Sequence, residues 1–180
     1  MKIISINLSK QSTIEQAIKE LEAYRDSLID KNAMFVRRLQ EIGVNAAEMA
    51  LAKGQGDSDK DVRFSVVMNT AEGEVEGQII ITSTPKVDKD GRVFYPHLAW
   101  EFGAGIYYNN GNPNPKAREY GMGVGSFPGQ THALNDYWWY RDKDGRLRFS
   151  QGTEAAMPMY KASVEIISQI EQIAREVFGG

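Results

Sequence analysis

The sequence contains no cysteine, and this absence removes several kinds of chemistry at once. Disulfide bonds, thiolate metal sites and cysteine-based catalysis are all excluded. Histidine is scarce too, because His97 and His132 are the only two and no H-x-x-x-H spacing joins them. Two isolated histidines are weak metal-ligand candidates. We therefore expect structural or surface histidines, no metal and no cofactor.

A basic excess and long apolar runs are also absent. The formal net charge is -3, whereas proteins that bind nucleic acid regardless of its sequence carry a basic excess. No apolar run is long enough to cross a bilayer, and residues 1–8 lack the apolar core of a signal peptide. We expect no membrane partner and no sequence-specific nucleic-acid partner.

What is present suits one globular domain over residues 1–180. Hydrophobic residues make up 42% and charged residues 25% of the chain, both ordinary for a soluble protein, and this length can bury a single core. Residues 1–8 read as a short strand. The following helical region, 12–53, should begin with Ser12 as N-cap and Glu15 completing a capping box. Gly43 should end the first helix, leaving a second over 45–53.

The long helix carries an imperfect heptad stripe, interrupted by Arg25 and Asn32. Its apolar members recur every seven residues: Ile14, Leu21, Leu28, Phe35 and Ile42. A core helix with a protruding end would explain this stripe. Alternatively, part of the stripe packs on a neighbouring subunit.

The region 62–102 is predicted to be β, with strands near 62–69 and 77–83 and a third beginning at 92–95. A hairpin is predicted over 138–150. Residues 88–93 closely echo residues 142–147, and Asp-Gly in each copy is a strong hairpin-turn signal. A calcium loop is the alternative, but it would place His97 or Gln151 where a bidentate glutamate is required.

Residues 103–137 form a long loop rich in Gly, Asn and Pro, without periodicity. Loops this long are usually functional, and this one carries apolar side chains that could order against a partner. In the adjoining hairpin, strand geometry would place Trp138 and Tyr140 on one face and Trp139 on the other. Such aromatic residues are typical of interfaces, although sugar or base stacking is a rival interpretation. The candidate oligomer or partner interface comprises Tyr107, Tyr108, Tyr120, Met122, Phe127, Trp138, Trp139 and Tyr140.

A C-terminal helix is predicted over 158–178, with Pro158 at its first position. Segregated strands and helices predict an α+β fold. In it, the long N-terminal and C-terminal helices pack on a small, mainly antiparallel sheet beside the long loop.

No motif in the chain completes a catalytic site. The glycines at 121, 123 and 125 fail the G-x-G-x-x-G spacing, and Ser126 stands one place too early for a nucleophile elbow. Glu101, between two aromatic residues, could have a raised pKa and act as a glycosidase acid with Asp136 or Glu119. Hydrogen bonding to backbone or pairing with arginine is the competing explanation. We therefore predict that the protein is not an enzyme.

Several segments together resemble the head–tail joining proteins of long-tailed bacteriophages, also called neck, tail-completion or minor capsid proteins. The matching segments lie between about residues 97 and 162: 97–106 (HLAWEFGAGI), 112–118 (NPNPKAR), 121–133 (GMGVGSFPGQTHA), 138–140 (WWY) and 152–160 (GTEAAMPMY). The ordered set is more specific than any one segment.

The resemblance implies an α+β structural protein of the virion neck, assembled in the host cytoplasm, with no activity and no cofactor. It implies a ring of subunits, typically six, whose partners are the head-completion adaptor and the tail-tube or tail-terminator protein. The implied signature residues are Glu101, Phe102, Gly103, Gly105 and Pro158. The alternative function is a carbohydrate-active enzyme or cell-wall-binding module that uses Glu101, Trp138 and Trp139.

Overall fold

The structure is a computed structural model that describes residues 11–56, 60–71, 73–88, 90–109, 113–123, 130–142 and 144–179. The fold is α+β, as predicted. The predicted strand at 1–8 lies outside the described residues. The elements in chain order are α1 (Gln11–Lys53), β1 (Val62–Ala71), β2 (Glu74–Ser83), β3 (Lys86–Val87), β4 (Val93–Phe94), α2 (Pro96–Phe102), β5 (Ala104–Gly105), α3 (Ile106–Asn109), β6 (Trp138–Arg141), β7 (Leu147–Ser150), β8 (Gly152–Thr153) and α4 (Pro158–Phe178).

Helix α1 is continuous, so the predicted stop at Gly43 and the separate helix over 45–53 are wrong. Gly43 is a packing residue, because a Cβ atom there would lie 2.5 Å from Ile79 Cδ1 and 2.7 Å from Ile166 Cδ1. The absent side chain lets β2 and α4 approach the helix backbone. Ser12 lies inside α1 rather than at its N-cap, since the helix already includes Gln11.

Helices α1 and α4 form an antiparallel pair. Phe178, at the end of α4, lies against Phe35 with ring centroids 5.7 Å apart, whereas Ile166 lies against Gly43 further along α1. An ion pair crosses the helices, with Arg38 Nη1 2.8 Å from Glu176 Oε2. The predicted start of α4 at Pro158 is confirmed.

Strands β1 and β2 form a ribbon of ten residues each that lies against α1. The buried side chain of Gln40 fastens the ribbon to the helix. Its Nε2 donates to the carbonyl oxygens of Val67, at 2.8 Å, and Gln78, at 3.0 Å. One helix side chain therefore satisfies acceptors on both strands, which a buried polar group requires.

The two Asp-Gly repeats form turns of the same geometry, as predicted. In the β3–β4 hairpin, Asp88 Oδ1 accepts hydrogen bonds from the backbone amides two and four residues later, at 2.8 and 2.9 Å. In the β6–β7 hairpin, Asp142 Oδ1 does the same at 3.0 and 2.9 Å. Gly91 and Gly145 have φ angles of 77° and 76°, which glycine adopts without strain.

Residues 96–102 are helical, so extending the β region to residue 102 and placing Glu101 in or beside a strand were wrong. Pro96 suits the first turn of a helix, because its φ is fixed and its missing amide is not needed there. Gly103, with φ of 81°, follows the last residue of α2. The helix places Trp100 at the centre of the core, fully buried among Leu51 and Ala156.

The described part of segment 103–137 is more ordered than the predicted loop. It contains β5, which pairs with β8, the short helix α3, and turns near residues 115–121 and 131–134. Ala117 packs on Phe102 in a second core cluster, together with Phe94, Leu98 and Met122. Asn114 and Ala117 are buried, so this part of the segment packs on the core rather than forming a linker.

None of the helices in the described residues is long and apolar enough to cross a membrane. Within the same residues, no group of three histidine, aspartate or glutamate side chains converges as a metal site would require.

A matched pair of glycines tests the packing of β5 against β8. Gly105 and Gly121 have nearly the same φ, 68° and 65°, so alanine adds a similar backbone strain of about 1–2 kcal/mol at either position. A Cβ at Gly105 would also lie 2.6 Å from the carbonyl oxygen of Gln151, whereas a Cβ at Gly121 meets nothing. We expect Gly105→Ala to lower the unfolding free energy by at least about 2 kcal/mol more than Gly121→Ala in urea titrations. Equal losses would contradict the close approach.

Candidate functional site

Glu101 lies in α2, and its carboxylate is buried, with 8% of the residue exposed. Its Oε2 accepts a hydrogen bond from the backbone amide of Met159 at 2.8 Å. Its Oε1 accepts two more, from the amide of Tyr160 at 3.1 Å and from Asn114 Nδ2 at 2.8 Å. The structure confirms the alternative to an acid–base role, namely that the Glu101 carboxylate is hydrogen-bonded to backbone.

The two backbone donors belong to the first turn of α4, so Glu101 caps that helix from another element. Pro158 occupies the first position and has no amide hydrogen. The N-cap residue, Met157, makes no side-chain capping bond. Helix N-termini carry unsatisfied amides and a partial positive charge, and a carboxylate satisfies both needs.

Asn114 connects this cap to the segment between α3 and β6. Its side chain is buried, and while Nδ2 donates to Glu101, Oδ1 accepts from the backbone amide of Lys116 at 3.0 Å. The asparagine therefore fixes its own turn and the carboxylate together. Three separate stretches of chain meet at one carboxyl group.

The backbone before α4 is held by a second set of bonds from α2. The carbonyl oxygen of Trp100 accepts from the amides of Ala156, at 2.8 Å, and Met157, at 3.1 Å. Met157 has a left-handed backbone, with φ of 57°, which costs a residue with a side chain about 1–2 kcal/mol. Adjacent residues of α2 thus hold the strained entry to α4 on one side and cap its first turn on the other.

Burial raises the pKa of the Glu101 carboxyl group above its ordinary value of 4.5. The hydrogen bonds from Met159, Tyr160 and Asn114, and the charge of Lys161, oppose this shift without cancelling it. Burial also lowers the pKa of His97, whose Nδ1 lies 2.8 Å from Ser83 Oγ, and of His132.

The other predicted signature residues lie around the same cap. Phe102 packs in the second core cluster, and Pro158 begins α4 with less than 2% of its surface exposed. Gly103 and Gly105 both have positive φ, and a side chain on Gly105 would meet the Trp138 ring. These residues therefore shape the contacts of α2 and β5 with residues 151–155 and the start of α4.

The aromatic hairpin divides its side chains as predicted. Trp138 stacks on His132, with centroids 4.7 Å apart and planes 12° apart, and with Tyr140 it lines a cavity of about 300 Å³. Trp139 projects to the opposite side, where it is exposed and contacts Phe149 edge-on at 5.4 Å. One side thus faces the protein and the other faces solvent.

The remaining interface candidates divide into three groups. Tyr107 and Tyr120 are exposed, and the Tyr120 ring also contacts Phe102 at a centroid distance of 6.3 Å. Met122 is half-buried against Phe102 and belongs to the core cluster, which argues against an interface role. The side chain of Tyr108 and all of Phe127 lie outside what the structure describes.

The contacts favour a structural role for Glu101 over an acid–base role, because both carboxylate oxygens accept hydrogen bonds from groups that hold α4 in place. Of its proposed catalytic partners, Asp136 lies on an exposed turn, and Glu119 pairs with Lys116 at an Nζ–Oε1 distance of 2.8 Å. Sequence reasoning missed Asn114 as a partner of Glu101. A proline at N1 preceded by methionine signals that the first turn of α4 lacks a local cap, but it does not point to Asn114.

Comparisons with known proteins found no match for this chain among protein-family models, curated proteins or solved structures.

Replacing Glu101 tests how much the cap contributes to stability. Glu101→Ala leaves two first-turn amides and the Asn114 amide without their acceptor, so we expect a loss of about 2–4 kcal/mol in the free energy of unfolding. The control is Glu171→Ala on the same helix, where the carboxylate is 83% exposed and the expected change is within about 0.5 kcal/mol. Similar urea midpoints for the two variants would refute the cap.

The pKa shift predicts how this contribution varies with pH. A carboxyl group with a raised pKa binds its proton more tightly in the folded than in the unfolded state, so stability falls as pH rises through the folded pKa. Relative to Glu101→Gln, the wild-type protein should be most stable below about pH 4.5 and lose part of that advantage at higher pH. Urea unfolding of both proteins between about pH 4 and pH 8 measures this difference. A difference that grows with pH would mean that the amide donors outweigh burial.

Proposed function

We propose that the chain is a structural subunit of a tailed-bacteriophage neck, forming a ring that joins the head-side adaptor to the tail tube. The observation that carries the proposal is apolar surface that a single chain leaves exposed on elongated elements. Monomeric soluble proteins rarely expose large apolar patches, so such patches usually mark interaction sites. The resemblance of residues 97–162 supplies the phage context.

The exposed apolar residues lie on both helices and on the aromatic hairpin. On α1 they include Leu21 and Tyr24, and on α4 they include Ile167. Trp139, with Phe149 beside it, adds an aromatic surface at the hairpin. Aromatic residues of this kind are enriched at the centres of protein interfaces.

The β1–β2 ribbon supports the same conclusion. Among the residues that the structure describes, its ten-residue strands pair only with each other, which leaves an outer edge on each. Long exposed strand edges favour pairing with another chain. A ring in which neighbours cover such edges would protect them.

The partners in this proposal are further copies of the chain, typically six in a ring, together with a head-completion adaptor and a tail-tube or tail-terminator protein. The protein would be assembled in the host cytoplasm and retained in the virion neck. The carbohydrate-enzyme alternative is less well supported, because the carboxylate it needs is engaged at the start of α4.

Electron microscopy and mass spectrometry test the proposal directly. Negative-stain images of the purified protein, alone and mixed with tail-tube protein, should contain rings of uniform diameter. Mass spectrometry of purified virions should detect the chain at a few copies per particle. A protein that stays monomeric in both samples and is missing from virions would overturn the proposal.

A further inference from the structure

The apolar stripe of α1 continues well beyond the helix that covers it. Helix α4 ends at Phe178, which lies against Phe35. The preceding 24 residues of α1, 11–34, extend about 36 Å past that point. In this projecting part the seven-residue spacing of Phe35 continues through Leu28, Leu21 and Ile14. Leu21 is 56% exposed.

The stripe on the projecting part is therefore the continuation of an interface that the chain already uses. At Phe35 and Gly43 this side of α1 packs on α4. At Ile18, Leu21 and Tyr24 the side chains are half or more exposed, whereas the small side chain of Ala17 beside them is buried. The same side of the helix would accept a second α4-like helix if one were supplied.

Helix α4 carries an apolar face that suits this position. Ile173 and Val177 are buried. Ile170 borders the same side of the helix, whereas Ile167 and Val164, at successive three-residue steps, turn progressively away from it, and Ile167 is 70% exposed. Residues three apart share one side of a helix, so these three form a continuous exposed strip.

We propose that the projecting part of α1 in one copy packs on the Val164–Ile167–Ile170 strip of α4 in the next copy. This inference rests on the proposed ring. The two surfaces lie on different parts of the molecule, so the contact is head-to-tail, and repeated contacts of this kind close into a ring when the rotation between copies allows it. Within one chain the surfaces cannot meet, because Ile166 packs at Gly43, about 33 Å along α1 from Leu21.

Cross-linking tests which helices meet. The chain has no cysteine, so a Leu21→Cys/Ile167→Cys variant offers only the two introduced thiols. A short bismaleimide should convert it into a ladder of covalent dimers, trimers and larger species. Each single-cysteine variant should stay uncross-linked. Dimers from Leu21→Cys alone would mean that two α1 helices pair with each other and would overturn the proposal.

Charge insertion tests whether this contact holds the ring. Leu21→Glu and Ile167→Glu should each raise the dissociation constant for self-association at least about tenfold, measured by sedimentation velocity. The controls are Ser12→Glu and Ala23→Glu, which add the same charge at exposed positions on the side of α1 opposite Leu21 and should leave assembly unchanged. Circular dichroism should show unaltered folding in all four.

The outcomes separate this contact from the proposed function. Rings that survive both Leu21→Glu and Ile167→Glu overturn the contact and leave the proposed function standing. A Leu21→Glu variant that keeps its rings but no longer binds tail-tube protein assigns the α1 surface to that partner instead, which also overturns the contact. Wild-type protein that forms no ring, alone or with tail-tube protein, removes the proposed function itself.

Discussion

The carboxylate of Glu101 is the interaction on which the middle and the end of the chain depend. It accepts hydrogen bonds from two amides of α4 and from the side chain of Asn114. Removing it would leave two first-turn amides of α4 and a buried asparagine without their common partner. Desolvating a carboxylate is unfavourable, and the three hydrogen bonds that Glu101 accepts offset part of this cost.

Short sequence signals correctly predicted those elements whose start or turn depends on a few neighbouring residues. Proline at the first position located the start of α4, and Asp-Gly located both hairpin turns, because each acts within a few residues. Gly43 was misread as a helix stop for the opposite reason. Its role depends on Ile79 and Ile166, whose approach to α1 is not encoded by neighbouring residues. Helix α2 was missed because seven residues give no helical periodicity to detect.

For the candidate site, the sequence singled out Glu101 but left its role open. The residues that decide the role lie 58 and 59 positions later, and no spacing rule connects them. The division of the aromatic hairpin was predictable because side chains alternate along any strand. The placement of Met122 was not, since an apolar residue in irregular backbone can face either a partner or the chain's own core.

Gln40 and Gly43 have a mechanical consequence. Within one turn of α1 they fix the ribbon and α4 to the helix, and residues 11–34 project beyond this clamp. The helix is therefore a lever whose fulcrum lies in the core. A tilt of about 5° at the clamp would move the far end by about 4 Å. In a closed ring, such an arm would convert small rearrangements inside one subunit into displacements that its neighbour must follow.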